Sequence, residues 1–211
     1  MTNVPQPPSR ATHPHRGNLR AALIDAGLVL LAEGGTTGLT LRKCAALAGV
    51  SHAAPAHHFD GLPGLLAAIA ARGFVLFAKA MEDEAQRAPG EPRARLEAIC
   101  IGYFDFACAN PALFDLMFRQ IWSISGDDSD LAEAGALAYG VLAGACAPFI
   151  AAGAEPGAVE TQVWSLIHGY AALALAGKLG RNRPQVPVKA ALALLLKLDL
   201  TGDGEGHRAP T

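Results

Sequence analysis

The stretch LTLRKCAALAGVSHAAPAHHFDG, Leu39 to Gly61, decides how this chain of 211 residues is read. Two short apolar-periodic pieces flank Gly49-Val50-Ser51. Thr40 is placed to cap a helix reaching Ala48, with Leu41, Ala45, Leu47 and Ala48 turned inward. Gly49 supplies the left-handed backbone that a sharp turn requires. Ser51 is placed to cap a third helix, from His52 to about His58. Pro55 falls at the fourth helical position from that cap, so its ring would face only the cap carbonyl. The helix is expected to survive, with one hydrogen bond lost and a loosened first turn.

Outward from this corner the chain reads as helix. Hydrophobic residues make up 51% of it and aromatics only 6%, with Ala and Leu dominant, so a sizeable core of helices is the expected product. Residues 1–15, with four prolines, read as a disordered arm. A first helix is expected from Arg16 to Glu33, with Leu19, Ala22, Leu23, Ala26 and Leu30 as its apolar face and Gly34-Gly35 ending it. Further helices are expected at Leu62 or Pro63 to Arg87, Glu91–Ala109, Pro111–Ile124, Asp130–Ala152, Pro156–Leu179 and Val188–Leu200. The fold class is therefore all-α, about nine helices and no strand. Residues 16–62 form a head, 63–200 a larger helical body, and 201–211 a flexible tail.

Several function classes drop out. No apolar run of about 18 residues escapes interruption by Gly, Pro or charge, and the N-terminus lacks a signal-peptide core, so a cytoplasmic protein without membrane attachment is expected. Cys44, Cys100, Cys108 and Cys146 lie too far apart for a disulfide framework or a metal motif, and read as thiols in a reducing compartment. No phosphate loop, nucleophile elbow or carboxylate pair stands in a recognisable setting, so no enzyme and no cofactor are expected. His52, His57, His58 and Asp60 invite a zinc reading, but their spacing on a short helix does not bring three ligands to one point.

Charge gives a mild lead. Residues 1–60 hold five Arg and Lys against three acids, a net +2, so with the whole chain at −2 the remainder carries −4. Two helices joined by a tight glycine turn form a helix-turn-helix, whose second helix can enter a DNA major groove. A plain helical corner fits the same pattern.

Resemblance adds to this. Thr40-Leu-Arg-Lys-Cys-Ala-Ala-Leu-Ala-Gly-Val-Ser51, Phe59 eight residues on, and the preceding helix resemble the N-terminal domain of TetR-family transcriptional regulators over about residues 16–75. Trp164-Ser-Leu-Ile-His168-Gly169 resembles the Trp-His-Gly signature of one C-terminal domain class in that family. The sequence departs from the family pattern at Ala56 and His57, where an aromatic is usual, and at Leu62, where a lysine usually stands beside a DNA phosphate. Backbone N–H groups near Asp60-Gly61 can take that phosphate instead. These departures sustain a second reading, a helical small-molecule-binding or interaction protein with a degenerate head.

The candidate residues follow. Thr40 and Arg42 open the second helix toward phosphate or a base edge, while Ser51, His52, Ala53 and Ala54 begin the reading helix. Small alanines permit close approach to a thymine methyl, and His57 and His58 are placed to donate to phosphates. Arg10 and Arg16 are placed to track the minor groove. A ligand cavity, implied by the resemblance and expected to be mostly apolar, gathers Phe74, Phe77, Tyr103, Phe114, Met117, Phe118, Trp122, Trp164 and His168; ordinary core packing is the competing account. His168, one turn from Trp164, either hydrogen-bonds within the core or orients a ligand. Dimerisation is expected through the small-residue stripe Gly169, Ala172, Ala176 and Gly180, with Ala190 and Leu194 on the last helix. The expected partners are thus double-stranded DNA, a second copy of the chain and a small ligand.

Overall fold

A computed structural model describes residues 16–121, 128–155 and 157–179, with side chains from Leu19 onward. Among these residues there are seven α-helices and no strand: α1 (Arg16–Gly38), α2 (Leu41–Leu47), α3 (Gly61–Arg87), α4 (Pro92–Ala109), α5 (Pro111–Asp115), α6 (Ser129–Cys146) and α7 (Ala158–Leu175). The fold is all-α, as composition implied. The expected arm, last helix and tail lie outside the described residues.

The corner at Thr40 forms largely as its sequence dictates, except that Leu47, expected to turn inward, is 53% exposed. Thr40 adopts an extended cap conformation (φ −142°) and its Oγ1 accepts from the Lys43 N–H at 3.2 Å. Gly49 takes φ +69°, and Cys44 and Ala45 are buried beneath it. The third helix is a correction. Only a 3₁₀ turn, Ala54–His57, is present, and no Ser51 side-chain cap holds it. Pro55 has no N–H to return to the Ser51 carbonyl, so the Ala54 N–H takes that carbonyl at 3.0 Å and the turn tightens. Pro55 is also buried, which ties the turn to the core.

α1 does not stop at Glu33. Gly35 (φ +63°) interrupts it and a further turn runs to Gly38. Its buried side is Leu23, Ile24, Ala26 and Leu31, with Leu19 and Leu30 half-buried, so it is rotated slightly from the expected face. α3 is the central helix, packed on α1, α4 and α6. By length and composition alone, α3 and the stretch Ser129–Phe149 are long and apolar enough to cross a membrane, but 56% of the apolar window of α3 is buried inside the protein. The stretch Ser129–Phe149 buries only 28% of its window and turns Leu137 and Tyr139 outward.

Three later helices are shorter than expected. After α5 the chain widens into a π turn, Leu116–Gln120, alongside which the Asp115 carboxylate accepts from both Arg119 and Gln120. α6 stops at Cys146 because Pro148 has no N–H for the next bond, leaving a 3₁₀ turn at Ala147–Phe149. α7 ends at Gly177 (φ +68°), whose N–H reaches the Ala174 carbonyl while the Lys178 N–H reaches that of Leu173. This paired closure needs the glycine.

Candidate DNA-reading surface and aromatic cluster

The expected reading residues all lie along the corner from Thr40 to His58, and none of them is buried. Thr40, Arg42, Ser51, His52, Ala53 and His57 are exposed, and Ala54 and His58 half-buried. Cys44, Ala45, Pro55 and Phe59 hold them from behind. Among the described residues Arg42 makes no hydrogen bond or ion pair, which leaves its fork of donors for another molecule. Lys43 is engaged elsewhere: its Nζ donates to the Gly38 carbonyl at 2.8 Å, closing the end of α1. His58 tilts against Phe59 at 6.4 Å between ring centroids.

Polar side chains tie both ends of α1 to the body, a feature sequence reasoning missed. Near its start, Arg20 pairs with Asp130 at 3.1 Å in the first turn of α6, and its guanidinium lies 5.6 Å from the centre of the Phe59 ring. Near its end, Thr36 Oγ1 donates to Gln120 Oε1 at 2.8 Å. Both partners lie more than 80 residues away in sequence, and no local pattern predicts such pairs. A cleft of about 160 Å³ opens beside Arg20, lined also by Ala21, Ile24, Asp25 and Arg72.

In the body, the structure brings most of the aromatic candidates together. Phe77 meets Tyr103 edge-on at 4.6 Å and Phe118 at 5.8 Å, and Phe114 lies 4.7 Å from Phe118. Phe74 joins Phe118 at 5.4 Å, and His168 stacks on Phe114 at 5.4 Å. Met117 is fully buried beside Gly73. Phe118 and His168 are half-buried, so the cluster has an open edge. Phe106, 5.1 Å from Phe77, also belongs to it. Trp122 lies outside the described residues.

Trp164 does not enter the ring cluster; it is 39% exposed and packs on Tyr139. Its indole N–H nevertheless donates to the Tyr103 hydroxyl at 3.2 Å, and that hydroxyl lies 2.8 Å from Nδ1 of His168. Burial pushes the Tyr103 phenol well up from its ordinary value, so it remains a donor. Burial pulls the His168 imidazole down, so it is neutral at pH 7. Trp164 and His168, one turn apart, are thus pinned by one tyrosine from α4.

That arrangement carries a pH prediction. The folded-state value for His168 lies below the unfolded one of about 6.5, so on acidification the unfolded chain takes up a proton that the folded form resists. The stability tied to neutral His168 is complete above that unfolded value and is lost as pH falls through the folded one. Melting temperature should fall between pH 7 and pH 5 more steeply in the wild type than in His168→Gln. Parallel pH profiles would refute the assignment.

One buried polar group stands apart. Glu160, in the first turn of α7, is 9% exposed, and its Oε2 is the one buried side-chain oxygen or nitrogen without a hydrogen-bond partner among the described residues. The Cys146 thiol nearby is pushed up to about 11, first by burial and then by the Glu160 charge. Among the described residues no three of His, Cys, Asp and Glu gather as a metal ion requires.

On the α7 stripe, Ala172 and Ala176 are exposed and Gly169 is half-buried with open space where a Cβ would stand. Leu173, beside them, is 48% exposed. Gly180, Ala190 and Leu194 lie outside the described residues.

Comparison with known proteins matches this geometry. The sequence model of the tetracyclin repressor-like C-terminal domain matches residues 96–197, which include Tyr103, Trp164 and His168. A solved structure of a protein of unknown function from Rhodococcus sp. RHA1 is 30% identical, with 90% of this chain and 95% of that one covered and a TM-score of 0.71. The chain belongs to the TetR family of transcriptional regulators. A TetR family transcription regulator from Marinobacter aquaeolei VT8 shares the fold at 18% identity (TM-score 0.60, 84% and 93% covered). So does the TetR-like regulator LfrR from Mycobacterium smegmatis, solved with proflavine, at 22% identity (TM-score 0.57, 86% and 96% covered). A comparison with curated proteins finds no match.

Proposed function

We propose that this TetR-family regulator is a homodimeric repressor that binds a near-palindromic operator and releases it when the body takes a small, mostly apolar ligand. One observation carries the reading. Thr40, Arg42, Ser51, His52, Ala53 and His57 are exposed along a corner whose Cys44, Ala45, Pro55 and Phe59 are buried, and Arg42 has no hydrogen bond or ion pair among the described residues. The body supports the ligand half: an aromatic cluster with an open edge, in a fold whose relative LfrR holds the flat aromatic dye proflavine. The ties at Arg20 and Thr36 connect that body to the head. A ligand favouring a body conformation that breaks them would reorient α1, and with it the reading face. The protein acts without catalysis or cofactor, in the cytoplasm.

A gel shift with DNA flanking its own gene, followed by selection from a random DNA pool, tests the reading. A two-fold dimer should select half-sites one helical turn apart, ~34 Å, or a multiple of it. Arg42→Ala should weaken binding by about 1–3 kcal/mol if the arginine reads a base, and by less if it meets only phosphate. With few free cations on the face, log affinity should fall with log salt by only about 0.9 per phosphate neutralised. Failure to enrich any sequence would favour the second reading, a helical ligand-binding protein with a degenerate head.

A further inference from the structure

His168 has two ring nitrogens, and among the described residues only one of them has a hydrogen-bond partner. The Tyr103 oxygen already accepts the Trp164 N–H. If His168 Nδ1 also donated to that oxygen, the hydroxyl hydrogen of a fully buried tyrosine would need another acceptor, and among the described residues Tyr103 makes no other hydrogen bond. A hydroxyl hydrogen left unmatched in the core is costly. The arrangement that satisfies every atom has Tyr103 O–H donating to Nδ1, and therefore the imidazole proton on Nε2.

That Nε2–H makes no hydrogen bond among the described residues. It is not sealed in the core either, because Oε2 of Glu160 is the one buried, unpartnered side-chain oxygen or nitrogen among the described residues. Its ring stacks on Phe114 with an interplanar angle of 27° and meets Phe118 at 4.9 Å, at the half-buried edge of the aromatic cluster. A fixed donor surrounded by ring faces matches one kind of visitor. Aromatic walls favour a flat aromatic body, and the donor favours an oxygen or nitrogen acceptor on its rim.

We infer that His168 Nε2–H is the ligand-recognising donor of the body, held in that tautomer by Tyr103 and Trp164, and that the ligand class is a flat aromatic molecule bearing a hydrogen-bond acceptor such as a ketone or ester carbonyl. The Trp-His spacing then has a division of labour: Trp164 fixes Tyr103, Tyr103 fixes His168, and His168 meets the ligand. The inference rests on the proposal that the body takes a small ligand. It adds the polar half of recognition, which an apolar cavity alone does not supply.

The test uses the full-length protein and two matched probes, acetophenone and ethylbenzene, of similar shape but with and without the carbonyl. Long-range ¹H–¹⁵N spectra of histidine-labelled wild type should show His168 protonated at Nε2 alone, with the fixed tautomer lost in Tyr103→Phe. Acetophenone should bind about 3–10-fold more tightly than ethylbenzene, as one hydrogen bond allows. In His168→Phe, which keeps an aromatic ring, that ratio should collapse to about one, by the same reasoning. Equal binding of both probes to wild type would overturn the donor assignment while leaving a ligand-binding body intact. A proton found on Nδ1 would overturn it independently of any variant. No binding of either probe up to millimolar concentration would remove both the inference and the ligand reading beneath it.

Discussion

Ala172→Arg is expected to convert the protein to monomers and abolish operator binding at concentrations where wild type saturates. Ala172 and Ala176 are exposed on α7, and Leu173 beside them is 48% exposed. Trp164 on the same helix is exposed too and meets exposed Tyr139 of α6 at 6.0 Å between ring centroids. A two-fold interface here presents the same residue from both copies, so one substitution introduces two cations. Burying an unpaired charge costs about 3–5 kcal/mol, and two add their mutual repulsion, so the dimer should weaken by at least about a thousandfold. A single head contacting one half-site retains little affinity. Sedimentation velocity and fluorescence anisotropy with the selected operator read the two effects separately. Dimeric Ala172→Arg would exclude this face as the interface, and a monomeric wild type at micromolar concentration would exclude the dimer altogether.

How much of this was legible in sequence depended on how local the cause was. The Thr40 cap, the Gly49 turn and the burial of Ala45 and Phe59 are set within a few residues, and each formed as the sequence implied. At the third helix Pro55 costs more than the one bond expected, because the geometry of the whole short turn changes with it. Pro148 ended α6 by the same physics, and a stricter reading of proline would have found both. The Gly177 closure has a local cause too, an Ala-Gly-Lys end just short of the expected boundary at Leu179.

Long-range pairings were beyond reach. The sequence offers His168 as either a core hydrogen-bonder or a ligand contact, but nothing in its neighbourhood names Tyr103 as its partner. Arg20 with Asp130, and Thr36 with Gln120, are ordinary surface types until the fold brings them together. Trp164 shows the reverse error. Its residue type sets it among the ligand aromatics, but its half-open ring packs on Tyr139 while its N–H reaches in to Tyr103. Glu160 could have been flagged, as the one acid on the Val163-Ile167-Ala171 face of α7.

Gly102→Ala is expected to destabilise the protein strongly, whereas Gly73→Ala should be close to neutral. Both glycines are buried within helices, so propensity alone would favour alanine at each by about 1 kcal/mol. Their surroundings decide otherwise. A Cβ on Gly102 would stand 2.6 Å from the Ala80 carbonyl oxygen and 2.9 Å from Met81 Cα, both backbone atoms of α3. Backbone within a packed helix cannot step aside, so α3 and α4 must move apart. On Gly73 the atoms met are the Met117 sulfur at 2.7 Å and the Leu113 Cδ1 at 2.9 Å, the outer atoms of side chains that can turn. Overpacking against rigid neighbours costs about 1–3 kcal/mol or more, and at about 2–4 °C per kcal/mol for a chain of this size Gly102→Ala should melt several degrees below wild type. Because α3 joins the reading face to the aromatic cluster, the same displacement should blunt the ligand response of whatever protein still folds. Calorimetry of the two variants side by side settles the matter: equal melting temperatures would mean that the close approach of α3 and α4 is not a constraint on this fold.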